Sequence, residues 1–587
     1  MRFLSNVLAT LVGLFIFSVM GFFVLLFIVA IAGSGSDSVT VRNNSVIELD
    51  LSRITTDYGG KTAYKDIDYF EENHDGVVDV LRAIDAAKTD ANIKGISILN
   101  NQSQLGMAQS KAVRDALADF RQSGKFVLAY ANYYTQKEYY LNSVADAVYL
   151  NPVGELDFKG LSSELLFFKD LQEKSGIKVE VIRHGKYKSA VEPFLDNKMS
   201  EANREQISAL LASVWDATVR DIAQSRNISV QRLNEIADGL LARTPEMARS
   251  EKLVDQIAYE DVYHNDIRKR LGVDPDEKYN KVSIRDYAEN IARTANDYLA
   301  TDKIALIYAQ GEITSGEGDV NTIGEGSIRR SLQQARKDNA VKAIVLRVDS
   351  PGGNALTSDL IWREVELTKK VKPVVVSMGN LAASGGYYIA CNGNRIFAEA
   401  NTITGSIGVF GMLPNFTALA QRIGVHSEQV STHANSAGYS VFQPMDEGFQ
   451  KVTQESVERI YSTFVSRVSQ GRKMAPAAVD SIAQGRVWSG TEALKIGLID
   501  EIGGLDDAIA HAAKLAKVRD FATEDFPEYE KSFRDWLSGI GLPFVKSREA
   551  LLREELGEEN YRTVEQIRNV MAQQGIRAAL PFSIDIR

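Results

Sequence analysis

The chain has 587 residues, 44% of them hydrophobic and 25% charged, which is enough apolar material for two or more packed domains and excludes a disordered chain. Its net charge is −10 and its pI about 5.4; with no dense Lys/Arg run there is no electrostatic footprint for nucleic-acid binding. The single cysteine, Cys391, excludes an internal disulfide or a cysteine-rich metal site, and H-E-x-x-H is absent, so neither metal nor cofactor is expected.

Residues 1–36 depart from the globular pattern. From Phe3 to Ser36 no residue is charged, and Leu8–Ala32 is an almost unbroken apolar run of 25 residues. About 20 suffice to cross a ~30 Å hydrocarbon layer. Ala30-Ile31-Ala32 reads as a small-x-small cleavage site, but a secretory h-region spans only about 7–15 residues. The length therefore predicts one uncleaved transmembrane helix. Arg2 and the amino terminus favour an N-inside orientation. No later segment is apolar enough to return, so the remainder is expected on the outer face of the membrane.

An internal repeat organises the rest. Residues 94–161 align without a gap to 342–409, at a constant offset of 248. Asn132 matches Asn380, Tyr139-Tyr140 matches Tyr387-Tyr388, and Gly160 matches Gly408. Farther on, Ile236-Ala237-Asp238-Gly239 resembles Ile482-Ala483-Gln484-Gly485. In the first copy, strands are predicted at Ile96–Leu99 and Phe126–Tyr130. The second has strands at Ile304–Tyr308, Ala343–Val348 and Val374–Met378. Helices are predicted at Ile328–Lys337, Ser358–Val371, from Gly385 to Cys391, and over Gln450–Gly471. The alternation predicts a tandem duplication of an α/β domain, with units at 37–295 and 296–517. Past residue 517 the sequence turns charged and helix-favouring, as in Glu549–Glu558, and a helical tail is expected over 518–587.

Two stretches of the second copy place glycine and serine where strands end. Asp349-Ser350-Pro351-Gly352-Gly353 can turn sharply and expose N–H groups, although an ordinary strand-to-helix turn has the same composition. In Ala382-Ala383-Ser384-Gly385-Gly386 the serine could be a mere N-cap. An N-cap, however, needs no small residues on both sides, whereas a nucleophile approached by a substrate carbonyl does. The Gly385 N–H could then hold an oxyanion. None of the six histidines sits in a distinctive motif, and Ala382 occupies the first glycine position of a G-x-S-x-G elbow. A lysine offers another base. Gln136 replaces Ser384 in the first copy, and Gln104-Leu105 replaces Gly352-Gly353. That copy carries His184-Gly185-Lys186-Tyr187-Lys188-Ser189-Ala190-Val191-Glu192-Pro193-Phe194, where the second has no lysine. Such reciprocal loss is expected if the two copies share one site.

These segments, together with Thr404-Gly405-Ser406-Ile407-Gly408, resemble the long, duplicated form of bacterial signal peptide peptidase A, also called protease IV, over roughly residues 1–520. The resemblance implies a Clp protease/crotonase-like fold, a Ser/Lys dyad formed between the tandem domains, and a bowl-shaped homotetramer. It implies Ser384 as nucleophile, Lys188 rather than Lys186 as general base, Ser406 as the hydroxyl orienting the lysine, and the N–H groups of Gly353 and Gly385 as the oxyanion hole. It further implies a periplasmic protease on the inner membrane acting on cleaved signal peptides and other hydrophobic peptides. A lysine base must be neutral, so Lys188 should be buried, and Glu192 should point away from it. Two alternatives are a crotonase-like acyl-CoA enzyme, which needs no serine nucleophile, and a non-catalytic membrane scaffold.

Overall fold

The computed structural model describes residues 2–33, 40–64, 69–295, 300–433, 435–531 and 576–579; the charged stretch Glu549–Glu558 lies outside them. The chain opens with a single helix of 32 residues, Arg2–Gly33, about 48 Å long at 1.5 Å per residue. Its described side chains are exposed, Phe15 and Phe17 by 70% and 73%. Among the described residues no helix is long and apolar enough to cross a membrane.

The first unit is built on a six-stranded sheet ordered Gln256–Ile257, Ala147–Leu156, Phe126–Tyr134, Ile93–Leu99, Ser45–Glu48, Asn280–Ser283. All of its pairings are parallel. The second unit repeats the pattern, with Val374–Ala383, Val341–Ser350 and Lys303–Gln310 side by side and parallel. The duplication is visible residue by residue. Strands begin at 93 and 341 and at 126 and 374, and the helices between them at 107 and 355, each pair 248 apart. Parallel strands are covered on both faces and therefore read as apolar runs rather than alternations. Ala343–Val348 is buried throughout, and each large aliphatic there contributes about 1.5–3 kcal/mol.

The charged member of that run, Arg347, marks where the units meet. Its Nε lies 2.6 Å from Asp57 of the first unit, with both side chains buried. The other Asp57 oxygen accepts from Gln109 Nε2 at 2.9 Å. A buried pair of this kind gains little net stability after desolvation, but it fixes register. Tyr58 also stacks on Tyr308 with ring centroids 4.7 Å apart.

The two units exchange strands. Lys178–His184 of the first pairs antiparallel with Val409–Asn415 of the second. The region expected to be a helical tail also contributes strands. Ala522–Phe526 extends the second sheet beside Lys303–Gln310, Glu528–Lys531 pairs with Lys61–Tyr64, and Ile576–Ala579 joins the strand layer over the glycine turn. The expectation of helix fails at these three places because the free main-chain edges of neighbouring strands need partners, whatever side chains arrive there.

Candidate active site

Strand Val374–Ala383 delivers Ser384, and helix Gly385–Ala390 leaves from it. At the junction Ser384 has φ +54° and ψ −114°, a conformation costing a non-glycine residue on the order of 1–3 kcal/mol. The turn is held from both sides: Ser384 N–H donates to Gly405 O at 2.8 Å, and Tyr388 N–H donates to Ser384 O at 2.9 Å. Strand Ile403–Gly405 lies alongside Leu381–Ala383, so Ser406, the next residue, stands beside the serine. It too has positive φ, +49°, and its N–H donates to Arg486 O at 2.7 Å.

The exchanged strand brings the lysine. With His184 opposite Val409, the chain turns through Gly185-Lys186-Tyr187, where Tyr187 N–H donates to Gln484 O at 2.8 Å. Lys188 then runs inward between Gly485 and Gly408, whose missing side chains leave room for its stem. Its Nζ lies 3.0 Å from Ser384 Oγ, 3.0 Å from Ser406 Oγ and 3.3 Å from Ser406 O. Ser384, Ser406 and Lys188 are all 0% exposed. Burial holds the Lys188 amine well below the ordinary lysine range, because removing an ammonium from water favours its neutral form. Lys186, by contrast, is exposed and lies over the Tyr187 ring.

Glu192 is turned toward the start of helix Glu201–Arg226. Its Oε1 accepts from Ser200 N–H at 3.1 Å and its Oε2 from Asn203 Nδ2 at 2.5 Å. Of the histidines, His184 is engaged elsewhere: its Nδ1 lies 2.7 Å from Glu458 and its ring stacks on Tyr461.

The glycine turn closes the site. Strand Val341–Ser350 leads through Pro351 into Gly352 and Gly353, with φ +95° and +154°. A Cβ on Gly353 would lie 2.1 Å from Ile313 O, so only glycine fits. Ser350 Oγ donates to Gly311 O at 2.6 Å and accepts from Gly352 N–H at 3.1 Å. Asp349 couples this turn to the serine strand, accepting from Leu381 N–H at 2.8 Å and Asn380 Nδ2 at 3.1 Å. Burial, reinforced by the charge of Asp57, pushes its pKa up to about 7.

In the first copy the matching place is filled. Gln136 Oε1 accepts the N–H groups of Lys159 and Gly160, and its Nε2 donates to Gly160 O at 3.1 Å.

All five residues singled out from the sequence thus fall in the second unit's turns or on the loop that reaches into them. Sequence reasoning missed Gly485, which stood in the repeat comparison without a role, and Phe410, whose ring lies 5.6 Å from Lys188 Nζ. Chemically, a neutral amine at hydrogen-bond distance from a serine hydroxyl can take its proton, and a strained turn rich in N–H groups suits a developing oxyanion.

Comparison with known proteins agrees with a protease. The model of peptidase family S49 matches twice, over residues 119–274 and 366–519. Protease 4 of Haemophilus influenzae is 37% identical over 86% of this chain and 85% of its own. Protease 4 of Salmonella typhi is 37% identical over 85% and 83%. The chloroplastic serine protease SPPA of Arabidopsis thaliana is 33% identical over 78% and 69%. Among solved structures, a point mutant of ClpP1 from Listeria monocytogenes covers 37% of this chain and 98% of its own, at 15% identity and a TM-score of 0.24, too distant to carry a fold argument. With two family domains and relatives alike over most of their length, the chain belongs to peptidase family S49 and is a serine protease.

Proposed function

We propose that the protein cleaves peptide bonds with a Ser384/Lys188 dyad assembled from the two repeats. Neutral Lys188 accepts the Ser384 proton as Oγ attacks the scissile carbonyl carbon. The N–H groups of Gly353 and Gly385 hold the resulting oxyanion. The Lys188 ammonium then protonates the leaving amine as the C–N bond breaks. Water, deprotonated by the same amine, hydrolyses the acyl-Ser384 ester and returns the hydroxyl. Ser406 orients Nζ throughout. The single observation carrying this reading is Lys188 Nζ standing 3.0 Å from both Ser384 Oγ and Ser406 Oγ in a fully buried position.

The setting completes the proposal. Helix Arg2–Gly33 anchors the chain with its amino terminus inside, leaving the catalytic units on the outer, periplasmic face of the inner membrane. In support, its sequence is apolar over Leu8–Ala32 and its described side chains find no cover. The substrates are cleaved signal peptides and other hydrophobic peptides, the units are of the Clp protease/crotonase type, and the working assembly is a homotetramer. The support for these is the resemblance of the motifs.

A serine-reactive phosphonate applied to the detergent-solubilised chain tests the dyad. Label should map to Ser384 and be lost in Lys188→Ala, which still binds peptide. Label on another serine, or undiminished labelling without Lys188, sinks the proposal. Ser384→Ala separates it from a crotonase-like hydratase, which would retain turnover.

A further inference from the structure

Between the glycine turn and the strand that pairs with the lysine loop runs a short strand from the far end of the chain. Ile576–Ala579 is antiparallel to both walls. Ala579, Ala578 and Arg577 lie opposite Gly352, Gly353 and Asn354 on one side. On the other side Arg577 lies opposite Phe410 and Ile576 opposite Gly411. The strand also packs against the helix that starts after Ser384. A groove with a free main-chain edge on each side is a receptor for an extended peptide. Here the chain's own residues fill it, and small Ala578 and Ala579 fall at the glycines. The one long side chain of that central part, Arg577, is largely buried and its Nη1 pairs with Glu312 Oε1. Glu312 stands on strand Glu312–Thr314, whose Ile313 pairs with Gly353. The acid is thereby fixed at a set distance from the oxyanion turn.

We propose that residues 576–579 are a built-in pseudosubstrate, and that Glu312 is a specificity-determining residue that accepts a basic side chain at the register position Arg577 now holds. This rests on the Ser384/Lys188 reading of the site. A substrate must form the ladder the tail now forms, so the tail has to leave first. Its departure uncovers an acidic subsite that favours Arg or Lys at one position of an otherwise apolar or small-residue peptide.

The test uses the solubilised full chain, a variant ending at residue 575, and Arg577→Glu, with a fluorogenic peptide carrying one arginine. If the tail fills nine of ten grooves, removing it raises kcat/KM about 10-fold, since apparent affinity scales with the open fraction; Arg577→Glu, which keeps the chain intact, should act in the same direction. A synthetic peptide of residues 572–587 should inhibit the shortened enzyme competitively. Changing its arginine to glutamate should weaken inhibition about 10-fold, the worth of one charge-assisted hydrogen bond, and Glu312→Lys should reverse that preference. Equal kcat/KM with and without the tail, or inhibition indifferent to both charges, overturns the proposal. Phosphonate labelling of the shortened enzyme separates the two layers. Label on Ser384 with unchanged rates rejects only the pseudosubstrate; label elsewhere rejects the dyad.

Discussion

Gly485 and Lys188 are in such close contact that no side chain fits between them: a Cβ on Gly485 would lie 2.7 Å from both the Cβ and the backbone nitrogen of Lys188. Gly485 also has φ +80° and donates its N–H to Ile407 O at 2.8 Å. One residue therefore sets the path of the lysine stem and anchors Ile407, the residue that follows Ser406. Gly485→Ala should push the stem away from Ser384. The expected outcome is a fall in kcat of about 100-fold, the scale of a misplacement near 1 Å, with KM little changed. A kcat within twofold of wild type would show that the amine reaches the serine by some other path.

Removing the reacting groups should cost activity while leaving the fold standing. Ser384→Ala should lower kcat by on the order of 10⁴–10⁶, and Lys188→Met by on the order of 10²–10⁴. In the proposed dyad the two groups act in one proton transfer, so the double variant should be no worse than Ser384→Ala. Steady-state kinetics on all three proteins checks this. Losses that multiply would mean that the groups act independently.

Much of this site could be read before any coordinates, because duplication supplied an internal control. The constant offset pairs Ser384 with Gln136, the first copy carries Lys186 and Lys188 where the second has no lysine, and strand and helix starts keep the same spacing. The choice of Lys188 over Lys186 came from the family resemblance. The lysine's route was not legible. Its strand Lys178–His184 leaves its own unit and pairs with Val409–Asn415, while the region 248 residues later forms no strand. The tail strands were hidden for a related reason. Ala522–Phe526 carries two acids, and half of the four-residue Ile576–Ala579 is alanine, so neither advertises strand propensity strongly. Their pairing is made by main-chain groups, which leave no mark on composition.

Asp349 predicts a pH dependence of stability. Its folded pKa of about 7 stands above the ordinary value of 3.8. The native state therefore holds a proton that the unfolded chain releases between those values. Its contribution is fully present below about pH 4, declines as pH rises toward 7, and is flat above, with a slope of at most about 1.4 kcal/mol per pH unit. Asp349→Asn should abolish this component. Glu399, raised to about 7 by burial, stays in both proteins and cancels in the comparison. Denaturation of both at pH 5, 6, 7 and 8 reads the difference; a constant gap between the two would mean Asp349 is ionised throughout.

Lys188 gives a prediction of opposite sign in stability and a matching one in activity. Its pKa is lowered by burial, so the unfolded chain takes up a proton that the folded one refuses. Wild-type stability should rise with pH from the folded pKa up to the unfolded value near 10.4, by at most about 1.4 kcal/mol per unit. Lys188→Met lacks this dependence. It should be the more stable protein at low pH, and its advantage should fade as pH approaches 10. Activity follows the same ionisation: kcat/KM should rise with unit slope as the amine loses its proton, then level off well below pH 10.5. Ser406→Ala, which removes the hydroxyl 3.0 Å from Nζ, should lower the plateau about 10-fold without abolishing the rise. A rise in kcat/KM only above pH 10 would mean that Lys188 is charged in the working enzyme, and a charged lysine cannot be the base.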